Sequence, residues 1–74
     1  MPPLPVISGQ KALNAFKRDG WLYQRRQGSH MILTKPGMTV TLSIPDHKEL
    51  DVGTLRSLIK KSGLTVEEFV NLID

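Results

Sequence analysis

The sequence contains no cysteine, and its aromatic side chains amount to one Trp, one Tyr and two Phe in 74 residues. Without cysteine, neither a disulfide framework nor a thiolate metal site is possible. No apolar run approaches the roughly 20 residues that a membrane-spanning helix needs, and the Pro-rich start lacks the basic and apolar segments of a signal peptide. These absences predict a cytoplasmic protein that does not enter a membrane.

The length and charge of the chain restrict the function further. Seventy-four residues predict one small domain over positions 1–74, with no room for a second core. Ten Lys and Arg oppose seven Asp and Glu, which gives a formal net charge of +3. A basic balance of this kind favours a polyanionic partner such as nucleic acid.

The first third of the chain predicts one helix after an extended start. Residues 1–7, with three prolines, predict an extended and loosely held segment. Ser8 is a suitable N-cap for a helix over 10–19, and Gly20 is a suitable stop. The buried face of this helix is expected to carry Ala12, Leu13 and Phe16.

Three strands are predicted next, over 21–26, 30–35 and 39–44. Trp21 and Tyr23 should share a face of the first strand. In the third strand, Val40, Leu42 and Ile44 alternate with polar residues. Short connections make the three an antiparallel meander, with one apolar face and one that carries threonine, serine and His30.

Two helices are predicted after the sheet. A polar loop over 46–52 leads to a helix that begins at Gly53 and ends at Gly63. A capping box at 65–68 then predicts a C-terminal helical extension over 65–74, whose apolar residues are Val66, Phe69, Val70 and Ile73. The predicted fold is α+β, in the order αβββα, with helices on one face of a three-stranded antiparallel sheet and a short C-terminal helix.

The segment Gly28-Ser29-His30 carries the clearest chemistry. A Gly-Ser turn places His30 as the first side chain of an apolar strand, close in sequence to Arg25 and Arg26. Imidazole exchanges protons near neutral pH, so a positioned histidine among cations suits work on a phosphodiester. The alternative is that His30 is an ordinary surface residue after a turn.

The ordered motifs of the chain resemble those of the HicA toxin family. They are Gly20-Trp21, Gly28-Ser29-His30, 44–50 (Ile-Pro-Asp-His-Lys-Glu-Leu) and 53–64 (Gly-Thr-Leu-Arg-Ser-Leu-Ile-Lys-Lys-Ser-Gly-Leu). The resemblance implies the double-stranded-RNA-binding-domain fold and ribosome-independent endoribonuclease cleavage of mRNA, as the toxin of a type II toxin–antitoxin system. It assigns the essential histidine to His30, and it implies a HicB-type antitoxin that covers the active site.

RNA cleavage by one histidine is chemically reasonable because the 2′-hydroxyl is an internal nucleophile. Cations must then stabilise the charge on phosphorus. The residues expected to bind RNA are Arg25, Arg26, Gly28, Ser29, Lys35 and Arg56. For Arg25, Arg26 and Lys35, an equal alternative is a solvated strand edge. For Arg56, Lys60 and Lys61, an ordinary solvated helix face is the favoured interpretation.

No cofactor is expected, and other functions stay open. The loop residues Asp46, His47, Glu49 and Asp51 are too crowded to match a known metal-ligand spacing, so no metal site is predicted. His47 is an alternative second proton-transfer group. A non-enzymatic double-stranded-RNA-binding module is the main alternative function. Such modules carry a lysine cluster at the start of the helix that follows the sheet, whereas the start of the corresponding helix here holds one cation, Arg56. A small protein-interaction domain is the third possibility.

Overall fold

A computed structural model of the chain describes residues 4–73, which form three helices and a three-stranded sheet. The elements in chain order are α1 (Gly9–Arg18), β1 (Leu22–Gln27), β2 (His30–Thr34), β3 (Leu42–Pro45), α2 (Val52–Ser62) and α3 (Val66–Leu72). The strands are antiparallel and lie in the order β1-β2-β3, so β2 is central. The α+β fold in the order αβββα, with an added C-terminal helix, is therefore confirmed.

Side-chain caps determine where the helices begin. The Ser8 hydroxyl accepts a hydrogen bond from the Lys11 amide at 3.1 Å at the start of α1. At the start of α3, Thr65 and Glu68 form both bonds of the predicted capping box. The second helix begins at Val52, one residue before the predicted start, because the Asp51 carboxylate caps it by accepting from the Thr54 amide.

The apolar core lies on one face of the sheet. Met31 pairs with Ile44 and Leu33 with Leu42, so all four side chains point to the same face, and each is at most 2% exposed. The helices cover this face, and the Phe16 and Phe69 rings of α1 and α3 lie 4.9 Å apart between centroids. The C-terminal helix therefore contributes a core residue.

The third strand is shorter than predicted and begins three residues later. It spans Leu42–Pro45, and Val40, expected to be an inward-facing strand residue, lies outside it and is exposed. The reason is that β2 ends at Thr34, and the last pair of the β2–β3 ladder joins Leu33 to Leu42. The positions opposite residues 39 and 40 therefore lie beyond the end of β2, and alternation alone does not make a strand.

The first strand also differs in its bounds, since it begins at Leu22 rather than at Trp21. Trp21 is fully buried just before it, whereas Tyr23 is 44% exposed. The register places Tyr23 opposite Leu33, on the core side, but β1 is an edge strand that the helices leave uncovered. The ladder shifts by one residue between Tyr23 and Arg25, which is a β-bulge.

The N-terminal segment is held more firmly than the sequence predicts from Leu4 onward. Ile7 is buried, and its carbonyl accepts a hydrogen bond from the Leu50 amide at 2.8 Å. Leu4 packs on the core. The expectation for Pro2 and Pro3, like that for Asp74, concerns positions outside the described residues. Within residues 4–73, the helices are too short and polar to cross a membrane.

Candidate functional site

His30 is the first residue of the central strand, and its backbone position is fixed by the turn before it. Gly28 has a φ of +62°, the left-handed conformation that glycine adopts most readily, so this turn is the one that the sequence predicts. The Ser29 carbonyl accepts a hydrogen bond from the Asp46 amide at 2.8 Å. The turn is thus hydrogen-bonded to the residue that follows β3, and the backbone around His30 is fixed by both β1 and β3.

The His30 side chain is exposed on the face opposite the core. Its Nδ1 atom lies 3.0 Å from the Ser43 hydroxyl oxygen on β3. A serine hydroxyl both donates and accepts, so this contact is compatible with either neutral tautomer of the ring. Among residues 4–73, the Nε2 atom has no partner and is available to a substrate.

Ser43 is a residue of the candidate site that sequence reasoning did not identify. It was expected only as one of the polar residues on the solvent side of the third strand. The register shows that it pairs directly with Ile32, two residues from His30 on the same face. The alternation of β3 is enough to predict that Ser43 lies on the polar face. Its closeness to His30 depends on the register between β2 and β3, which the sequence does not give.

Arg25 and Arg26 lie on opposite faces of the sheet. Arg25 pairs with Ile32, and Gln27 pairs with His30, so Arg25 lies on the open face with the histidine. Its guanidinium has no ion-pair partner among residues 4–73. Arg26 pairs with Met31 on the core side, where its Nη1 atom lies 2.9 Å from Asp46 Oδ2.

The other predicted cations are also separated from the histidine. The Lys35 ammonium forms an ion pair with Asp19 Oδ2 at 3.1 Å. Arg56 borders a groove between α2 and α3 that Ile59, Leu64 and Val66 line. The structure therefore groups His30 with Arg25 and Ser43, and it does not bring Arg26, Lys35 or Arg56 to that group.

The acidic loop residues stabilise the fold around this site. The hydrogen bond from Arg26 is the main reason that the pKa of Asp46 lies below its usual value, and Gln10 adds a weaker hydrogen bond at 3.4 Å. The Asp51 carboxylate is the cap of α2, and the His47 carbonyl accepts from the Gly9 amide at 2.9 Å. Within the described part of the chain, no group of three or more His, Asp or Glu side chains is arranged to hold a metal ion.

A polar groove adjoins the histidine on the β3 side. It is called here the β3–α2 groove, and its lining consists of Ser43, Asp51, Gly53, Thr54, Ser57, Leu58 and Lys61. Ser43 belongs to both the groove and the His30 contact. The open face therefore continues from Arg25 on β1, across His30 on β2, to a groove whose lining includes Lys61 of α2.

Comparisons with known proteins agree with this architecture. A structure described as "Toxin-Antitoxin complex from Streptococcus pneumoniae" contains a similar chain, with a TM-score of 0.69 and 28% sequence identity. The match covers 84% of this chain and 100% of that one. No curated protein matches significantly. The model of the HicA toxin of bacterial toxin–antitoxin systems matches residues 9–64, which is most of the sequence. The chain therefore belongs to the HicA toxin family.

Proposed function

We propose that this protein is a toxin that cleaves mRNA as an endoribonuclease, with His30 as the catalytic residue. The observation that carries the proposal is the geometry of His30. Its ring is exposed at a fixed strand start, Ser43 contacts Nδ1 at 3.0 Å, and Nε2 has no hydrogen-bond partner among residues 4–73. Membership of the HicA family supports the same activity.

The reaction needs a proton acceptor near the 2′-hydroxyl of the RNA, or a proton donor near the leaving 5′-oxygen. The 2′-oxygen attacks phosphorus and the bond to the 5′-oxygen breaks, which yields a 2′,3′-cyclic phosphate and a 5′-hydroxyl end. The Nε2 atom of His30 performs one of these proton transfers in this proposal. The contact from Ser43 keeps the ring oriented, since its hydroxyl adapts to the protonated and neutral imidazole alike.

The charge that develops on the phosphate needs nearby donors. Arg25 supplies the guanidinium on the face that carries His30, where it contacts the phosphate oxygens in a geometry favourable to two parallel hydrogen bonds. The backbone amides of Gly28 and Ser29 are additional donors at the turn. Arg26 and Lys35 are less suitable, because Asp46 and Asp19 already neutralise them. Arg56 serves at most as a distant contact to the phosphate backbone.

An antitoxin partner follows from the same surface. The similar chain of known structure is described as part of a toxin–antitoxin complex. We propose that an acidic antitoxin of the HicB type covers His30 and competes with RNA for Arg25. Electrostatic attraction of this kind mainly accelerates association, so the rate of complex formation should fall with added salt.

The decisive experiment is cleavage of an RNA by purified wild-type protein and by His30→Ala, in excess EDTA. General acid–base catalysis contributes about 10² to 10⁴ in rate, so His30→Ala should lose that factor. Its melting temperature should stay unchanged because the side chain is exposed. The chelator should have no effect on the wild type.

A matched variant, His47→Ala, makes the test specific. It should retain cleavage, since the hydrogen bond that His47 makes in the described structure comes from its backbone carbonyl, which the substitution keeps. Cleavage by His30→Ala at the wild-type rate would refute the catalytic assignment. RNA binding by the wild type without any cleavage would favour the alternative, a non-enzymatic double-stranded-RNA-binding module. Loss of activity with EDTA, restored by magnesium, would revive a metal role for the 46–51 loop.

A further inference from the structure

We propose that the β3–α2 groove is the binding site for the nucleotide next to the scissile phosphate, with Lys61 as the contact to its phosphate. The inference rests on the proposed RNA cleavage, and it adds a second binding position to that site. It starts from the position of Ser43, whose hydroxyl oxygen lies 3.0 Å from His30 Nδ1 and which is also one of the residues that line the groove. A polynucleotide held at His30 therefore has the groove immediately beside it.

The lining of the groove has the chemistry that a sugar–phosphate unit needs. Ser43, Thr54 and Ser57 provide hydroxyl groups, and Lys61 provides an ammonium group. Hydroxyl and ammonium donors are among those that contact phosphate and sugar oxygens in nucleic-acid complexes. Asp51 is the one acidic residue of the lining, and its Oδ2 atom already accepts a hydrogen bond from the Thr54 amide at 3.3 Å.

The charges on the open face favour a strand that crosses it from β1 to α2. Arg25 lies on the β1 side of His30, and Lys61 lies on the α2 side. Both lack ion-pair partners among residues 4–73, whereas Arg26 and Lys35 are each paired with a carboxylate. Unpaired cations on both sides of the histidine give two successive phosphates a positive partner each.

The chain supplies its own control for this proposal in Lys60. Lys60 and Lys61 are neighbours in the last turn of α2, where both are exposed and both interact with the C-terminal end of the helix dipole. Lys60, however, borders the apolar groove between α2 and α3, with Arg56 and Ile59. A change of Lys60 or Lys61 to alanine removes the same charge from the same turn, but from different grooves.

The test measures binding of a fluorescein-labelled single-stranded RNA to the His30→Ala protein, which does not consume the RNA, by fluorescence anisotropy over a range of salt concentrations. Adding Lys61→Ala should weaken binding about fivefold at low salt. It should also reduce the slope of log K against log salt by about 0.7, the value for one phosphate contact with a single strand. Adding Lys60→Ala should leave the slope unchanged, and Lys61→Arg should restore most of the affinity.

Each outcome has a defined meaning. Equal losses from Lys60→Ala and Lys61→Ala, or no loss from either, would refute the groove as a subsite while leaving RNA cleavage intact. A wild-type protein that neither cleaves nor binds RNA would refute the proposed function itself. Because neither lysine packs in the core, circular dichroism should show an unchanged fold for all of these variants.

Discussion

The two faces of the sheet are stabilised by different interactions, although their residues alternate along the same strands. On the covered face, Met31, Leu33, Leu42 and Ile44 are buried together and packing determines what each position accepts. On the open face, His30 and Ser43 are exposed, and contacts between polar groups determine the arrangement. Substitutions should therefore divide into those that unfold the chain and those that abolish its activity but leave the fold intact.

Ile32 is a buried apolar residue on the open face. It is 6% exposed, yet it does not belong to the core cluster. In the register it lies between Arg25 and Ser43, one on each neighbouring strand. A buried isoleucine at this point provides apolar surface for the neighbouring side chains to pack on, since long side chains such as arginine cover apolar surface with their methylene stems.

The largest effect on the covered side is expected from Gly9→Ala. An added Cβ would collide with the Pro45 carbonyl at the end of β3, and the Gly9 amide donates to the His47 carbonyl at 2.9 Å. Overpacking against backbone should cost about 2 kcal/mol, which is roughly 10 °C in melting temperature for a domain of this size. Thermal unfolding by circular dichroism measures it.

The control for this prediction is Gly63→Ala. Gly63 ends α2 with a φ of +84°, and a Cβ there would meet nothing within 4 Å. The cost should be backbone strain alone, about 1 kcal/mol. If Gly9→Ala proved no more destabilising than Gly63→Ala, the close approach of α1 to β3 would not be a constraint on the fold.

Ser43→Ala should have an intermediate effect, and on activity alone. The hydrogen bond to His30 Nδ1 orients the ring, so its loss should lower the cleavage rate about threefold to tenfold, the equivalent of a net hydrogen bond of about 0.5–1.5 kcal/mol. Because both side chains are exposed, water replaces the lost bond in the folded state, and the melting temperature should not change measurably. Ser43→Thr retains a hydroxyl and should recover the rate. Nitrogen-15 chemical shifts of the His30 ring would show the tautomer populations change in Ser43→Ala only. An unchanged rate and unchanged shifts would remove Ser43 from the site.

Much of this fold could be predicted from the sequence, because its signals are local. Helix caps at Ser8 and Thr65, the turn at Gly28 and the alternation of Leu42 and Ile44 each depend on neighbouring residues. The site was predicted less completely. His30 follows directly from the turn before it, whereas the partners of Arg26 and Lys35 depend on register and on carboxylates 16 to 20 residues away. A β-bulge near Arg25 further obscures which face each arginine occupies.

The smallest expected effect is a pH-dependent change in melting temperature that distinguishes Arg26 from its neighbour Arg25. Arg26 is the main cause of the lowered pKa of Asp46. This carboxylate therefore stabilises the folded state most where it is charged in both states, which is above its ordinary pKa of 3.8. That stability is lost as the pH falls through the lower folded pKa. Asp46→Asn and Arg26→Gln should therefore lower the melting temperature slightly at pH 6, and the difference from wild type should shrink and vanish as the pH falls through the lowered pKa of Asp46. Arg25→Gln should leave the melting temperature unchanged at every pH and instead weaken RNA binding. If both arginine variants changed stability and RNA binding equally, the assignment of stability to Arg26 and of RNA binding to Arg25 would be wrong.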